Sequence, residues 1–246
     1  LNPSSAASDV YKRQITINLS FYNQNEVLIW QVESWKSWSK EIRDQFSFCI
    51  VDDCSKKSAT EVLYENDGID LTDLDLSIYR VKEDLYCNIA GVRNLSAQEC
   101  KTDWMVILDM DTFIDQSLAE SMIELTNTPP GKCFKFNRRV PNDPRHPKNG
   151  QQHPAICLLR NEDYWNVGGC EEDLVGHYGC TDGSFWFRAT GKLAIIEKYN
   201  LFLNYIPEGE SDINRDNSHN LALHWDYRKN NKWSTNFVRF DWEKIY

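Results

Sequence analysis

The sequence predicts an α/β fold with a mostly parallel sheet flanked by helices. Four short apolar runs carry this: ITINLSF (Ile15 to Phe21), FSFCIV (Phe46 to Val51), LSIYRV (Leu76 to Val81) and MVIL (Met105 to Leu108). Segments with helical spacing separate them, and strands alternating with helices pair in parallel through right-handed crossovers. Hydrophobic residues are 41% of the 246 and aromatic residues 13%, ample for a core of one large domain.

The first run is rich in β-branched residues and reads as a strand. Tyr22 to Asn25 is a polar turn. Val27, Trp30, Val32, Trp35 and Trp38 then recur at helical spacing over Glu26 to Trp38. The second strand ends in Asp52-Asp53-Cys54-Ser55, and a helix follows at Thr60 to Glu65. After the third strand, Asn88 to Cys100 is helical. The fourth strand leads to a helix at Ser117 to Leu125. Pro129, Pro130 and Gly131 mark a change of character without a linker. Beyond them, Lys132 to Val140 and Ala155 to Arg160 are strand-like, separated by a long polar loop, Pro141 to Pro154, of a length often used for binding. Gly168 and Gly169 open a stretch that runs through Thr181-Asp182 into helical Phe185 to Ala189.

Composition excludes several classes. No run approaches the roughly 20 apolar residues of a membrane helix, so no span is expected. A net charge of -10 disfavours nucleic acid, whose phosphates need basic stripes. Charge screening over about 8 Å leaves the local site to decide whether a phosphorylated substrate is tolerated. The eight cysteines contain no Cys-x-x-Cys, which argues against structural zinc and for a reduced, cytoplasmic setting. Ser4 to Gln14 (SSAASDVYKRQ) resembles translated sequencing-adapter sequence. Residues 1–14 are therefore read as a non-native tail, and an upstream targeting segment stays open.

The segment WMVILDMDT, Trp104 to Thr112, concentrates the chemistry. Asp109 and Asp111 stand one residue apart at a strand end, where alternation points both to one face. Two like charges held close need a positive partner, and hard carboxylate oxygens suit Mg2+ or Mn2+. A solvated acidic turn is the plainer reading of that pair alone. In parallel sheets, however, ligands bind at the carboxyl ends of the strands. Ser20-Phe21-Tyr22-Asn23, Asp52-Asp53 and Asp109-Met110-Asp111 all lie at such ends and are expected to share one crevice.

In this order, ITINLSFYNQNE, FCIVDDCSK, CNIAGVRNLSAQECKTDWMVILDMD and VGGCEEDLVGHYGCTDGSFWFR resemble a GT-A glycosyltransferase of the inverting family 2 type. A secondary likeness is to galactosyl- and N-acetylgalactosaminyltransferases. The likeness runs from Ile15 to about Trp242. It implies one GT-A domain over 15–246, with 15–128 taking the nucleotide and 129–246, a small mixed region, taking the acceptor. Asp53 would hold the nucleobase. Ser20, Tyr22, Asn23 and Asn88 would line the base and ribose pocket. Asp109 would contact the ribose or the metal, and Asp111 would bind the metal.

The same likeness makes Asp182 the catalytic base, with Thr181 replacing the first member of the family's acidic pair and Cys54 replacing its usual Gly. A helix N-cap is the competing role for Asp182. His224, in LALHWDYRKNNKW, would be a further metal ligand, with core packing as the alternative. His219 is a weaker candidate, and Arg228, Lys229 and Lys232 could neutralise a diphosphate. Trp186, Trp225 and Tyr178 are candidates for stacking on sugar.

The implied activity is transfer of a hexose from a nucleotide-diphosphate sugar, UDP-linked, to a carbohydrate or other hydroxyl acceptor with inversion. A sugar-binding module without turnover is one alternative. The other is a haloacid-dehalogenase-type phosphatase, which would place its Asp-x-Asp-Gly-Thr on the first strand.

Overall fold

The computed structural model describes residues 14–65, 69–206 and 214–246. Apart from Gln14, the adapter-like tail lies outside them. Strands β1 (Ile15–Phe21), β2 (Phe46–Asp52), β3 (Leu76–Val81) and β4 (Trp104–Leu108) form a parallel block in the order β4-β1-β2-β3. Their bounds follow the apolar runs to within one residue. β2 and β4 are buried along their whole length, as strands covered on both faces must be. Helices α1 (Asn25–Lys36), α2 (Lys40–Arg43), α3 (Ala59–Tyr64) and α4 (Ile89–Gln98) fill the connections. α3 starts on a capping box: Ser58 accepts from the Glu61 amide while the Glu61 carboxylate accepts from the Ser58 amide.

The rest of the chain widens this sheet. It comprises β5 (Thr112–Phe113), α5 (Gln116–Leu125), β6 (Lys132–Arg139), β7 (Gln152–Arg160), α6 (Asn161–Val167), α7 (Thr181–Thr190), β8 (Ala194–Tyr205), α8 (Ser218–Asn230) and β9 (Trp242–Lys244). The full order is β5-β8-β6-β7-β4-β1-β2-β3-β9. β7 runs antiparallel to β4 and β6 antiparallel to β7, while β8 runs parallel to β6. The expected α/β class with a mixed second region is what forms.

Two details differ from expectation. The polar loop after β6 is shorter than Pro141 to Pro154, because β7 starts at Gln152 and buries His153. β8 is a strand that no apolar run announces. Its register against β6 shifts between Phe136 and Asn137, so that Lys198 and Phe202 become successive partners. Tyr199, Asn200 and Leu201 bulge out there, and the Tyr199 carbonyl accepts from Asn137 Nδ2.

One apolar cluster joins β1, β2 and α1 to β6, β7 and β8, from Ile15 and Trp35 to Phe134, Ile156 and Leu203. Trp35 stacks on Phe48 at 4.6 Å between ring centres. Burying one such indole stabilises by about 5 kcal/mol before entropy is counted. The second face packs α4, α6 and α7 around Tyr164 and Phe185. The C-terminal segment is fastened at both ends. β9 pairs with β3, and the buried Glu172 carboxylate accepts from the amides of Val238 and Arg239. Among the described residues no helix is long and apolar enough to cross a membrane.

Candidate active site

The carboxyl ends of β1, β2 and β4 open into a cavity that the start of α7 also lines. Ser20, Tyr22, Asp53, Asn88, Asp109, Asp111 and Asp182 all line it. Each arrives there for a local reason.

At the end of β2 the two aspartates divide their work. Asp52 is fully buried and accepts from the amides of Ser55 and Ala59 and from Arg80 Nη1 at 2.6 Å, which fixes the turn into α3. Asp53 faces the cavity. Asn88 donates to both of its oxygens, from its backbone N at 3.2 Å and its Nδ2 at 3.1 Å. Gly91 makes room for that amide, since a Cβ there would lie 2.2 Å from Asn88 Oδ1. Cys54, the residue after Asp53, has φ 57°, a left-handed conformation that costs a non-glycine residue about 1 kcal/mol. Cys54→Gly is therefore expected to raise stability slightly and Cys54→Val to lower it by more than 1 kcal/mol, as read by denaturant midpoints.

Burial pushes the Asp53 carboxyl up to about 6, against the Asn88 hydrogen bonds that pull it down. Its folded value exceeds the unfolded one, so this group favours the fold most below about pH 3.9, and that contribution is lost as pH rises through about 6. Ligand binding follows the opposite sense. An acceptor for a nucleobase N–H is strongest when ionised. A ligand N–H held by the ionised carboxylate would bind with constant affinity above about pH 7, about twofold more weakly at pH 6 and about tenfold more weakly at pH 5, and Asp53→Asn should abolish that pH dependence in a calorimetric titration of a nucleotide.

β4 ends at Leu108, and a turn follows in which the Thr112 amide donates to the Asp109 carbonyl. Met110 points into the core, so both flanking carboxylates face the cavity although the strand has stopped. Gln31, fully buried on α1, holds this turn from behind by donating to the carbonyls of Met110 and Thr112. Ligand atoms of Asp109, Asp111 and His153 lie within 4.8 Å of one another. Two carboxylates and an imidazole make a donor set that fits Mn2+. His153 Nδ1 accepts from the amides of Ala155 and Ile156, which leaves the neutral ring's proton on Nε2, 3.9 Å from Asp111 Oδ1. A cation bound by that nitrogen would require the other tautomer, with the proton on Nδ1, and so would displace the two amide contacts.

His224, the expected further metal ligand, stands apart from the two aspartates. It is not among the residues grouped with Asp109 and Asp111; its Nδ1 is 2.7 Å from Ser184 Oγ, in the packing of α8 on α7. Burial lowers its pKa and favours the neutral ring. The sequence signal for His153 was slight, because it stands among prolines in what reads as a loop. Asn23 is likewise not among the residues that line the cavity; its Oδ1 accepts from the Lys56 amide and its backbone N donates to Ser55 Oγ. Arg228 lies over Phe187 and Trp225, and Lys232 pairs with Asp226. The arginines that line the cavity are Arg93 and Arg215 instead.

Asp182 sits in the first turn of α7, one residue past its start, and Cys180 occupies the N-cap position with φ 63°. The Asp182 carboxylate therefore does not cap the helix. It accepts from Arg93 Nη1 at 2.5 Å, while Arg93 Nη2 donates to Asp109 at 2.8 Å. The next residue, Asn94, bonds the Cys170 carbonyl, Glu172 and the Tyr164 hydroxyl. Gly169, with φ 59°, must lack a side chain because a Cβ would come 2.8 Å from Asn94 Oδ1. The Arg-Asn pair of α4 thus ties the Asp-x-Asp turn to the Gly-Gly loop and to α7.

A parallel α/β block with an Asp-x-Asp turn at its carboxyl edge and an acidic helix start facing it defines a GT-A glycosyltransferase. The family model for glycosyl transferase family 2 matches residues 16–190, and the chain belongs to that family. The phosphatase alternative falls with this, and with the position of Asp109-Met110-Asp111-Thr112 after the fourth strand.

Among solved structures, the fold resembles the mannosyltransferase PcManGT from Pyrobaculum calidifontis in complex with GDP-Man and Mn2+. The TM-score is 0.60 at 15% identity, over 87% of this chain and 61% of that one. S. aureus TarS 1-349 in complex with UDP-GlcNAc gives 0.59 at 12% identity, over 77% and 57%. GalNAc-T7 with UDP, GalNAc and Mn2+ gives 0.59 at 12% identity, over 78% and 44%. The chain thus spans less than two thirds of each. No curated protein matches it.

Proposed function

We propose that this glycosyltransferase moves a hexose from a UDP-linked sugar to a hydroxyl acceptor with inversion. The single observation that supports the reading is the shared cavity: Asp53, the Asp109 and Asp111 pair, and Asp182 come from three segments of the chain and line one space. Asp53 accepts from the nucleobase, and Ser20, Tyr22 and Asn88 border the base and ribose. Asp109, Asp111 and His153 hold Mn2+ or Mg2+, which when bound neutralises charge on the departing diphosphate. Asp182 takes the proton of the acceptor hydroxyl, whose oxygen attacks the anomeric carbon opposite the leaving group. General-base help of this kind is worth about 10²- to 10⁴-fold. Residues 15–246 act as one domain, 15–128 serving the donor and 129–246 the acceptor.

The test is release of UDP from UDP-GlcNAc with and without Mn2+, with GDP-mannose in parallel. At 100 times its dissociation constant the preferred donor should also stabilise the fold by about 2.7 kcal/mol. Preference for GDP-mannose would overturn the UDP assignment. Binding without any release of nucleotide would favour the non-catalytic module, which Thr181 and Cys54 suggest.

A further inference from the structure

Arg93 is the most deeply buried charge at the site, with a side chain only 6% exposed. Its charge is balanced by two carboxylates and no backbone carbonyl: Asp182 at 2.5 Å and Asp109 at 2.8 Å. Both partners keep part of their surface open to the cavity, 36% for Asp182 and 24% for Asp109. A buried ion pair kept for stability alone is a poor bargain, because well-packed apolar residues commonly do as well. Nothing in the packing of α4 against β1 and β2 calls for a cation here. The guanidinium does have a property that no apolar residue or lysine shares. It is a rigid planar fork whose two terminal nitrogens carry separate acceptors at a fixed spacing. Its seat is rigid as well, because the neighbouring Asn94 is locked to Cys170, Glu172 and Tyr164.

We propose that Arg93 is a positioning residue that sets the distance between the proton acceptor on α7 and the donor-side carboxylate at the end of β4. It acts through Asp182 and Asp109. Without it, α7 and the β4 turn lose their direct link, and Asp182 is free to turn away from the acceptor hydroxyl. A displacement of about 1 Å in such a group costs about a hundredfold in rate. This inference rests on the proposed role of Asp182, and its test separates the two.

The experiment compares wild type, Arg93→Met, Arg93→Lys, Asp182→Asn and the Arg93→Met/Asp182→Asn double variant. Nucleotide release from UDP-GlcNAc or GDP-mannose with Mn2+ gives kcat and KM, and calorimetry gives the dissociation constant of UDP or GDP. Arg93→Met should lower kcat by about a hundredfold with nucleotide affinity unchanged within about threefold. Arg93→Lys, able to serve one carboxylate at a time, should recover only part of that loss. Arg93→Met should cost nothing further in the Asp182→Asn background, as expected of residues acting as a unit.

Unchanged kcat in Arg93→Met would overturn the inference, as would a loss of nucleotide affinity as large as the loss of turnover, or additive effects in the double variant. Full activity in Asp182→Asn would instead remove the base assignment and the inference with it. Melting curves accompany each variant, and if Arg93→Met does not fold, Arg93→Lys and its double variant with Asp182→Asn carry the same comparison.

Discussion

Asp111→Asn is expected to abolish Mn2+-stimulated release of nucleotide from the sugar donor, lowering turnover by about 10³-fold. A neutral amide is a weak ligand for a hard cation, and several kcal/mol of transition-state charge stabilisation goes with the metal. The substitution is also clean. Asp111 is partly exposed, and its carboxylate accepts one hydrogen bond, from the Thr112 hydroxyl at 2.9 Å, which an amide oxygen can still accept. Stability should stay within about 0.5 kcal/mol of wild type. Stabilisation by UDP with Mn2+ should vanish while any metal-free binding persists. Wild-type Mn2+ dependence in this variant would remove the Asp109, Asp111 and His153 site from the mechanism.

Asp182→Asn is expected to lower kcat by about 10²- to 10⁴-fold with donor affinity unchanged. The asparagine carbonyl can still accept from Arg93, so the start of α7 stays in place. What is lost is the capacity to take a proton. Asp182→Glu should be intermediate, because it restores a carboxylate one methylene out of position. A fall in donor affinity equal to the fall in kcat would mean that Asp182 holds the donor instead. That pattern separates a base from a binding group, because only an interaction made in the transition state leaves the ground-state affinity untouched.

Arg93 and His153 show why part of the site was hidden in the sequence. Asp109 and Asp111 announce themselves because an apolar run stops at two charges, and Asp53 because another does the same. Arg93 belongs to the Arg-Asn pair of the segment CNIAGVRNLSAQECKTDWMVILDMD that carries the family likeness, yet nothing in the spacing says what it holds. Its meaning comes from Asp109, sixteen residues away, and Asp182, eighty-nine away. His153 reads as a loop residue among prolines. It reaches Asp111 because β7 pairs antiparallel with β4, with Ile107 opposite Cys157. His224 attracted attention through its setting in LALHWDYRKNNKW, yet it packs against Ser184. β8 escaped notice because its burial is irregular and its register breaks, so neither period 2 nor a continuous apolar run was available to find it.

The sequence by itself determined the parallel block and its acidic ends. Strand burial is written as unbroken apolar runs, and the right-handed crossover rule leaves few ways to stack them. The placement of Asp53, Asp109 and Asp111 at one edge followed from those runs. Only the tertiary structure decided which histidine stands by the aspartates, which arginine joins the two sides and which asparagine clamps Asp53. These choices depend on contacts between residues distant in the chain, set by strand order and helix seating, and a local pattern carries no record of them.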